Sequence, residues 1–291
     1  MANLKEIRNR ITSVNSTMQI TSAMKMVSAA KLKRATDAIT QMRPYAEKLQ
    51  DILGNLSASL DSSEGIYSAP RAEKNVLIVT VTSNRGLCGG FNGNVVKSVI
   101  KLMEEHGSDN VYVLPVGKKA VDGLKSKKLL NLHTDLPAEC NEIWNELDFD
   151  NVSVIAETIM KAYRDGVVDK VVVVYNKFVN AAVQQVQREA FLPVVPTESE
   201  ASGTQVDYIF SPEKESIVND LIPKSLKVQL YKALLDSHAS EHGARMTAMH
   251  KATDNAGDLK KELTLHYNKA RQASITAEIL EIVGGAEALA G

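Results

Sequence analysis

Apolar residues near the start of the chain recur at alternating steps of three and four positions. The series begins with Leu4, Ile7, Ile11, Val14 and Met18. This spacing is that of a heptad seam, in which one stripe of a long helix packs against a second helix. The pattern therefore predicts that the chain begins with a coiled-coil helix.

The seam becomes polar over the next two turns, where its positions are Thr21, Lys25 and Ser28. Over this stretch the apolar residues surround the helix instead, at Ile20, Ala23, Met24, Met26, Val27, Ala29 and Ala30. A helix that is apolar on nearly all sides is normally enclosed on all sides. We therefore expect this segment to be enclosed.

A second seam lies near the end of the chain. It runs through Met249, Ala252, Ala256, Leu259, Leu263, His266, Ala270, Ala273, Ala277 and Leu280. A pattern sustained for this length indicates a coiled coil. Gly243 and Gly257 each weaken a helix by about 1 kcal/mol relative to alanine, which a helix supported by packing tolerates. One long helix is expected, paired antiparallel with the first because the chain must turn back between them.

The two helices differ in length, which leaves one of them unpaired at its end. Pro44 and Pro223 are expected to mark the lower limits of the paired region, because proline is poorly tolerated inside a helix. If both helices rise equally per residue, the residue numbers of two facing positions should then add up to roughly 270. The apolar side chains that project beyond the pair are Ile275, Ile279, Leu280, Ile282 and Val283. Such an apolar tip needs hydrophobic cover from outside the chain.

Between the helices, short apolar runs alternate with helical stretches. Strands are predicted over 75–82, 111–116 and 170–175, a more polar edge strand over 183–188, and helices over 92–106, 118–127 and 152–164. This βαβ alternation predicts a parallel sheet. The expected fold is α/β, a Rossmann-like central domain with a long antiparallel coiled coil formed by the terminal helices. The predicted divisions are a helix over 1–58, a linker over 59–73, the α/β domain over 74–211 and a helix over 212–291.

The first βα loop has the sequence SNRGLCGGFNGN, and its glycines raise the question of nucleotide binding. A glycine-rich loop that opens a helix can hold phosphate on free backbone amides. However, this loop contains neither the GxGxxG spacing nor a Walker A lysine. The glycines are better explained by a tight turn and close packing of helix on sheet. No nucleotide, cofactor or catalytic site is predicted.

Charge is unevenly distributed, although the whole chain is close to neutral. Over 1–44 there are eight basic residues and two acidic ones. This imbalance suggests a partner surface of opposite sign. Carboxylates of a protein are favoured over nucleic acid, because the basic stretch lacks interleaved aromatic residues. The sequence has no apolar run long enough to span a membrane, so any membrane role is expected to be peripheral.

Metal sites are not indicated by the cysteines or the histidines. Cys88 and Cys140 lie far apart and form neither a CxxC pair nor a ligand cluster, so Cys88 is interpreted as a small buried thiol. His238 and His242 have the helical spacing of a metal pair, but the residues between them are in the wrong order for HExxH. They are predicted to be exposed helix histidines.

Three stretches carry a resemblance to a known family. They are IRNRITSVNSTMQITSAMKMVSAAKLKRA near the start, TSNRGLCGGFN in the first βα loop, and ARMTAMHKATDNAGDLKKELTLHYNKARQASITAEILEIVGGAEAL at the end. Together they resemble the γ subunit of F-type ATP synthases. The resemblance implies a stalk of two antiparallel helices inside a ring of three α and three β subunits. It also places a Rossmann-like domain beside the ε subunit and the membrane-embedded c-ring.

The resemblance also implies roles for particular residues. Arg271 and Gln272 correspond to the family's contact with a loop of the β subunit, where a guanidinium fork and an amide can meet carboxylates. Met24 and Lys25 lie on the lower shaft, facing the carboxyl-terminal region of β. Some relatives carry an acidic residue in place of Lys25, so the local charges differ. The apolar tip, from Ile275 to Val283, would turn within the upper part of the ring.

By the same resemblance, the chain has no active site and couples proton or sodium flow to ATP synthesis. A bacterial form at the cytoplasmic face of the plasma membrane is expected, with a processed organellar form left open. Two alternatives belong to other classes of protein. One is a nucleotide-dependent α/β enzyme with helical extensions, and the other is a coiled-coil adaptor that docks on its partners without rotating.

Overall fold

A computed structural model describes residues 4–57, 66–67, 71–133, 135–194 and 214–290. The fold consists of two compact units. The terminal unit comprises Met1–Ser28 and Met246–Gly291, and the central unit comprises Ala29–Arg245. Two long helices, α1 (Leu4–Ser57) and α5 (Lys214–Ala290), each contribute to both units.

The central unit contains a four-stranded sheet with the order β2-β1-β3-β4. The strands are β1 (Val76–Val81), β2 (Val111–Val116), β3 (Lys170–Phe178) and β4 (Gln184–Leu192). The intervening helices are α2 (Phe91–His106), α3 (Lys118–Lys125) and α4 (Phe149–Arg164), with short 3-10 helices at Ser108–Asn110 and Glu142–Trp144. β1 pairs in parallel with β2 and β3. The α/β class and the terminal helices are as predicted.

The prediction of a parallel sheet holds for β1, β2 and β3 but not for β4, which runs antiparallel to β3. The physical reason is the length of the connection. Only residues 179–183 join the two strands, and a parallel pairing needs a crossover of a dozen residues or more. β4 is nevertheless an edge strand, as its more polar sequence indicated.

Both faces of the sheet are covered, because successive side chains of a strand point to opposite faces. On one face, Val76 and Ile78 of β1 pack in a cluster with residues of α2 and α3. On the other face, Leu77 and Val79 pack with residues of α4, α1 and α5. The long helices are thus part of the core of the central unit.

Pro44 and Pro223 were expected to mark the lower limits of the paired region, and neither proline ends its helix. Both residues lie inside helices, which continue beyond them. A proline inside a helix costs about 3 kcal/mol. Burial of nearby apolar residues in the core offsets that cost, with Ala46 and Leu49 beyond Pro44 and Leu226 beyond Pro223.

The predicted linker over 59–73 lies mostly outside the described residues. The boundary between 211 and 212 also falls there. The predicted domain limits therefore remain predictions. Among the described residues, no helix is long and apolar enough to cross a membrane.

Candidate partner-binding surfaces

In the terminal unit, α1 and α5 pair antiparallel through polar contacts as well as apolar ones. The hydroxyls of Thr21 and Thr253 are 2.8 Å apart, and Lys260 donates to the Asn15 side chain at 2.8 Å. As the position on α1 rises, the position on α5 falls, which defines the antiparallel direction. Polar residues in the first seam are therefore explained by polar partners across the pair.

The register differs from the predicted one by about one helical turn. The ammonium of Lys25 lies 3.3 Å from Nδ1 of His250, and the sulfur of Met18 faces Gly257. The two residue numbers of each facing pair add up to four or five more than the expected value of roughly 270, which assumes equal rise per residue. The error follows from using the two prolines as limits, because the helices pass through both.

Of the ten predicted positions of the second seam, five are partly or fully buried, namely Met249, Ala252, Ala256, Leu263 and Ala270. The stripe also includes Thr253, Lys260, Tyr267 and Ser274, of which the last three lie one position after the predicted Leu259, His266 and Ala273. By contrast, the predicted seam residues Leu259, His266, Ala273, Ala277 and Leu280 are exposed. The prediction favoured apolar residues, whereas this pair places Thr253 and Lys260 inward because each has a polar partner on α1.

The residues assigned to the β-subunit contact occupy two separate places on the terminal unit. Met24 and Lys25 are half-buried on α1, and Lys25 contacts His250 of α5. Arg271 and Gln272 are both exposed. Since 21 residues separate His250 from Arg271 on one helix, the two places are about 30 Å apart at 1.5 Å per residue.

Most of the large apolar side chains that are exposed in the terminal unit fall into two groups. Ile20, Met26 and Val27 of α1 are each more than half exposed, so the chain does not itself enclose this segment. The apolar tip, which comprises Ile275, Ile279, Leu280, Ile282 and Val283, is exposed at every position. Contiguous exposed apolar surface of this kind indicates a site of protein interaction.

In the central unit, the glycine-rich loop forms a tight turn closed by side chains. The Asn92 amide accepts from the backbone of Ser83 at 3.0 Å and donates to Sγ of Cys88 at 3.2 Å. Gly89 has a left-handed φ of 60°, and Leu87 has one of 62°, which is uncommon outside glycine. Cys88 is 2% exposed, and burial raises the pKa of its thiol. The interpretation of Cys88 as a buried thiol is confirmed.

Carbonyl groups of this loop bind a side chain that the sequence did not single out. Arg245 on α5 donates to the carbonyl of Arg85 at 3.0 Å and to that of Gly86 at 3.2 Å. Its other terminal nitrogen donates to Glu241, one turn earlier. The acid and base at i and i+4 were a detectable signal, but such pairs are common on exposed helix faces. Only the burial of this pair distinguishes it.

The prediction that His238 and His242 are exposed is wrong. Their Nε2 atoms are 3.1 Å apart, His242 is buried, and the ring of His238 stacks on Trp144. Burial, with the nearby cations Lys31 and Arg245, lowers the pKa of His238 to about 4. Burial and His238 lower the pKa of His242 to about 3. Within the part of the chain that the structure describes, no group of three or more potential ligands could hold a metal ion.

Comparison with known proteins agrees with this architecture. A family model described as ATP synthase matches residues 3–289. The ATP synthase gamma chain of Flavobacterium johnsoniae is 59% identical over 292 residues, which cover the whole of both chains. This chain belongs to the ATP synthase gamma-chain family. The gamma chain of Christiangramia forsetii is also 59% identical over the full length of both chains.

Solved structures show the same fold. A chain in the mitochondrial ATP synthase of Euglena gracilis has a TM-score of 0.68 at 21% identity, with 98% of this chain and 94% of that chain covered. A chain in the central stalk and c-ring of the Tetrahymena thermophila enzyme has a TM-score of 0.57 at 27% identity, with 80% and 99% covered. The resemblance inferred from the sequence is therefore confirmed, and the fold is that of gamma chains.

Proposed function

We propose that this chain is the central rotor shaft of an F-type ATP synthase. It couples proton or sodium flow through the membrane c-ring to ATP synthesis and hydrolysis at sites between the α and β subunits. The observation that carries the proposal is a gamma-chain fold whose α5 helix, 77 residues long, ends in exposed apolar turns. A helix of that length extends about 115 Å at 1.5 Å per residue.

The apolar tip suits a contact that must hold the shaft and also let it turn. Its large side chains are aliphatic, and the sequence contains no Phe, Tyr or Trp from 275 onward. Aliphatic contact excludes water without the directional preferences that aromatic pairs have. A hydrophobic sleeve in the upper part of the α and β ring would cover Ile275, Ile279, Leu280, Ile282 and Val283.

Below the tip, Arg271 and Gln272 are proposed to contact a loop of the β subunit. Both are exposed, and a guanidinium can bind a carboxylate through two parallel hydrogen bonds. Met24 and Lys25 are proposed to face the carboxyl-terminal region of β. The exposed apolar residues Ile20 and Val27 lie seven positions apart on the same face of α1 and would extend that contact.

The chain itself is proposed to be non-catalytic. The glycine-rich loop uses its carbonyls and side chains in internal contacts, and its sequence lacks a phosphate-binding motif. The α/β domain would lie beside the ε subunit and the c-ring. The protein would thus be peripheral, at the cytoplasmic face of a bacterial plasma membrane.

Reconstitution tests this proposal against the two alternatives. Vesicles containing the complex assembled with this chain should pump protons, or sodium, when ATP is added, and vesicles without it should not. A complex that assembles and hydrolyses ATP with intact ion pumping in the absence of this chain would contradict the rotor. Micromolar ATP binding by the isolated chain, abolished by substitution of Gly89 or Gly90, would favour the enzyme alternative.

Hydrogen exchange tests the tip specifically. Amides from Ile275 to Ala288 should exchange quickly in the isolated chain, because every side chain over that range is exposed. They should become protected when the α and β subunits assemble around them. Amides near Leu230, which is buried within the chain, serve as an internal control that is protected in both states. Strong protection of the tip in the isolated chain would exclude this assignment.

A further inference from the structure

The segment of α5 that ends the central unit contacts the α/β domain on opposite sides. Gly243 faces the turn between β3 and β4, where an added Cβ would lie 3.2 Å from the backbone of Ala181. Arg245 faces the loop between β1 and α2 and binds two of its carbonyls. Two residues along a helix correspond to about 200° of rotation around its axis. The helix is therefore held between two parts of the domain.

Each side of this contact is made rigid by further bonds. On the loop side, the hydroxyl of Ser83 donates to the carbonyl of Arg85 at 2.6 Å, which fixes one acceptor of Arg245. On the strand side, Ser240 donates to the carbonyl of Asn176 on β3 at 3.0 Å. Asn176 in turn donates to the carbonyl of Phe91 at the start of α2 at 3.2 Å. Loop, strand and helix are thus joined in one network.

The guanidinium of Arg245 is held in place from within α5. Glu241 accepts from its Nη1 atom, and both residues are more than nine-tenths buried. A buried ion pair adds little net stability, because desolvation of the two charges opposes their attraction. The ion pair does fix the orientation of the planar guanidinium, whose other nitrogens then donate hydrogen bonds to the carbonyls of Arg85 and Gly86. The geometry therefore favours a positioning role over a stabilising one.

We propose that Gly243 and Arg245 form a lock that prevents α5 from turning about its own axis within the α/β domain. The proposal rests on the rotor function proposed above. In a rotor, torque must pass between the α/β domain and α5, and contacts on opposite sides of a helix resist its rotation more effectively than contacts on one side. Arg245 and Gly243 are positioning residues for coupling, and Glu241 acts through Arg245.

The test measures torsional stiffness of the shaft in the assembled complex. A bead is attached to the exposed position 154 through Val154→Cys, in a Cys140→Ser background, and the ring of α and β subunits is fixed to a surface. Angular fluctuation of the bead is recorded while the enzyme pauses. Arg245→Ala should increase the angular variance by about two-fold or more, because it removes the charge-assisted contacts on one side of α5.

A matched control lies on the same helix. Lys227 of α5 pairs with Glu157 of α4, but the glutamate is mostly exposed, so Lys227→Ala should leave the variance unchanged. Arg245→Lys retains a positive charge near Glu241 without the planar fork, and should give a smaller increase than Arg245→Ala. If Arg245→Ala does not assemble, Arg245→Lys decides the question.

The outcomes separate this proposal from the rotor function itself. Wild-type complexes that do not rotate would contradict the proposed function. Complexes that rotate, with unchanged variance in both Arg245→Ala and Arg245→Lys, would overturn the lock alone. Lower thermal stability of the variants without a change in variance would also overturn it, since that pattern is expected of a purely structural contact.

Discussion

The two units place the same helix in opposite environments. Within the central unit, α5 is buried on several sides, with Leu226, Leu230 and Leu234 in the core. Within the terminal unit, α5 has a single stripe against α1, and no described side chain beyond Ser274 is even partly buried. One unit completes its own core, whereas the other leaves apolar surface for partners. Apolar residues of one continuous helix therefore belong to the core in the central unit and to exposed surface in the terminal unit.

The largest expected effect comes from making the same substitution in both units. Leu234→Ala should destabilise the isolated chain by about 2 to 5 kcal/mol, because Leu234 is fully buried and its loss leaves a cavity. Leu280→Ala should change stability by less than about 0.5 kcal/mol, because Leu280 is exposed. Urea unfolding followed by fluorescence of Trp144, the single tryptophan, measures both. Equal effects would contradict the comparison.

Acid should act on the central unit through its buried histidines. Folding lowers the pKa of His238 from 6.5 to about 4 and that of His242 from 6.5 to about 3. At a pH between the folded and the unfolded pKa of either histidine, the folded state therefore binds fewer protons than the unfolded state. Stability should therefore fall as pH drops below 6.5, by about 3 kcal/mol by pH 4 for His238 alone at 1.36 kcal/mol per pKa unit. Urea midpoints measured across this range test the slope.

The control for this pH dependence is on the same helix. His238→Asn combined with His242→Gln should flatten the slope between pH 6.5 and pH 4. His250→Asn should leave the slope in place, because His250 is exposed in the terminal unit. A slope that survives the double substitution would assign acid sensitivity to other groups.

A third prediction concerns the proposed partner contact. Arg271→Ala should impair coupled ion pumping, with loss of a charge-assisted contact worth about 1.5 to 3 kcal/mol. Gln272→Ala should act in the same direction, and neither change should lower the thermal stability of the isolated chain. Lys261→Ala is a suitable control, because Lys261 is another exposed cation of α5 and pairs with Asp258 one turn away on the same helix. Normal pumping with a destabilised isolated chain would reverse the assignment.

The smallest expected effect is that of a glycine-to-alanine substitution on stability, and its sign should differ between the two units. Gly257→Ala should stabilise the chain by up to about 1 kcal/mol through helix propensity, because among the described residues the nearest neighbour of an added Cβ is the Met18 sulfur, at 4.0 Å. Gly243→Ala has the same propensity gain but brings Cβ within 3.2 Å of the Ala181 backbone, so a net loss is expected. Thermal denaturation of the two variants measures this difference, and stabilisation by both would show that the Ala181 turn yields easily.

Much of the fold was predictable because its strongest signals are local. The run VLIVTV of β1 is apolar without alternation, and all six residues are buried between two layers of helices. The apolar pattern predicts the start of α4 three residues late, because it does not include the helix cap. The side chain of Asp148 accepts from the backbone of Asn151 at 2.7 Å, a feature of helix starts. The family resemblance rested on sequence stretches and needed no structure.

The candidate partner surfaces were predictable only in part. Exposure of the apolar tip followed from unequal helix lengths, although the register behind that argument was in error by about one turn. The inward polar residues of α5 could not be inferred from apolar periodicity, since a residue such as Lys260 has a polar partner on α1, the Asn15 side chain, that periodicity does not reveal. The contact roles of Arg271, Gln272, Met24 and Lys25 remain predictions, because they depend on partner subunits.

The sequence by itself determined the class of fold, the two long helices, the absence of a phosphate-binding motif and the membership of a family. These properties depend on periodicity and motifs that are local along the chain. The tertiary structure alone decided the direction of β4, the register of the helix pair, the burial of His238 and His242 and the contact of Arg245 with the glycine-rich loop. Each of these depends on residues far apart in sequence, whose approach is set by packing and by the need to pair buried polar groups.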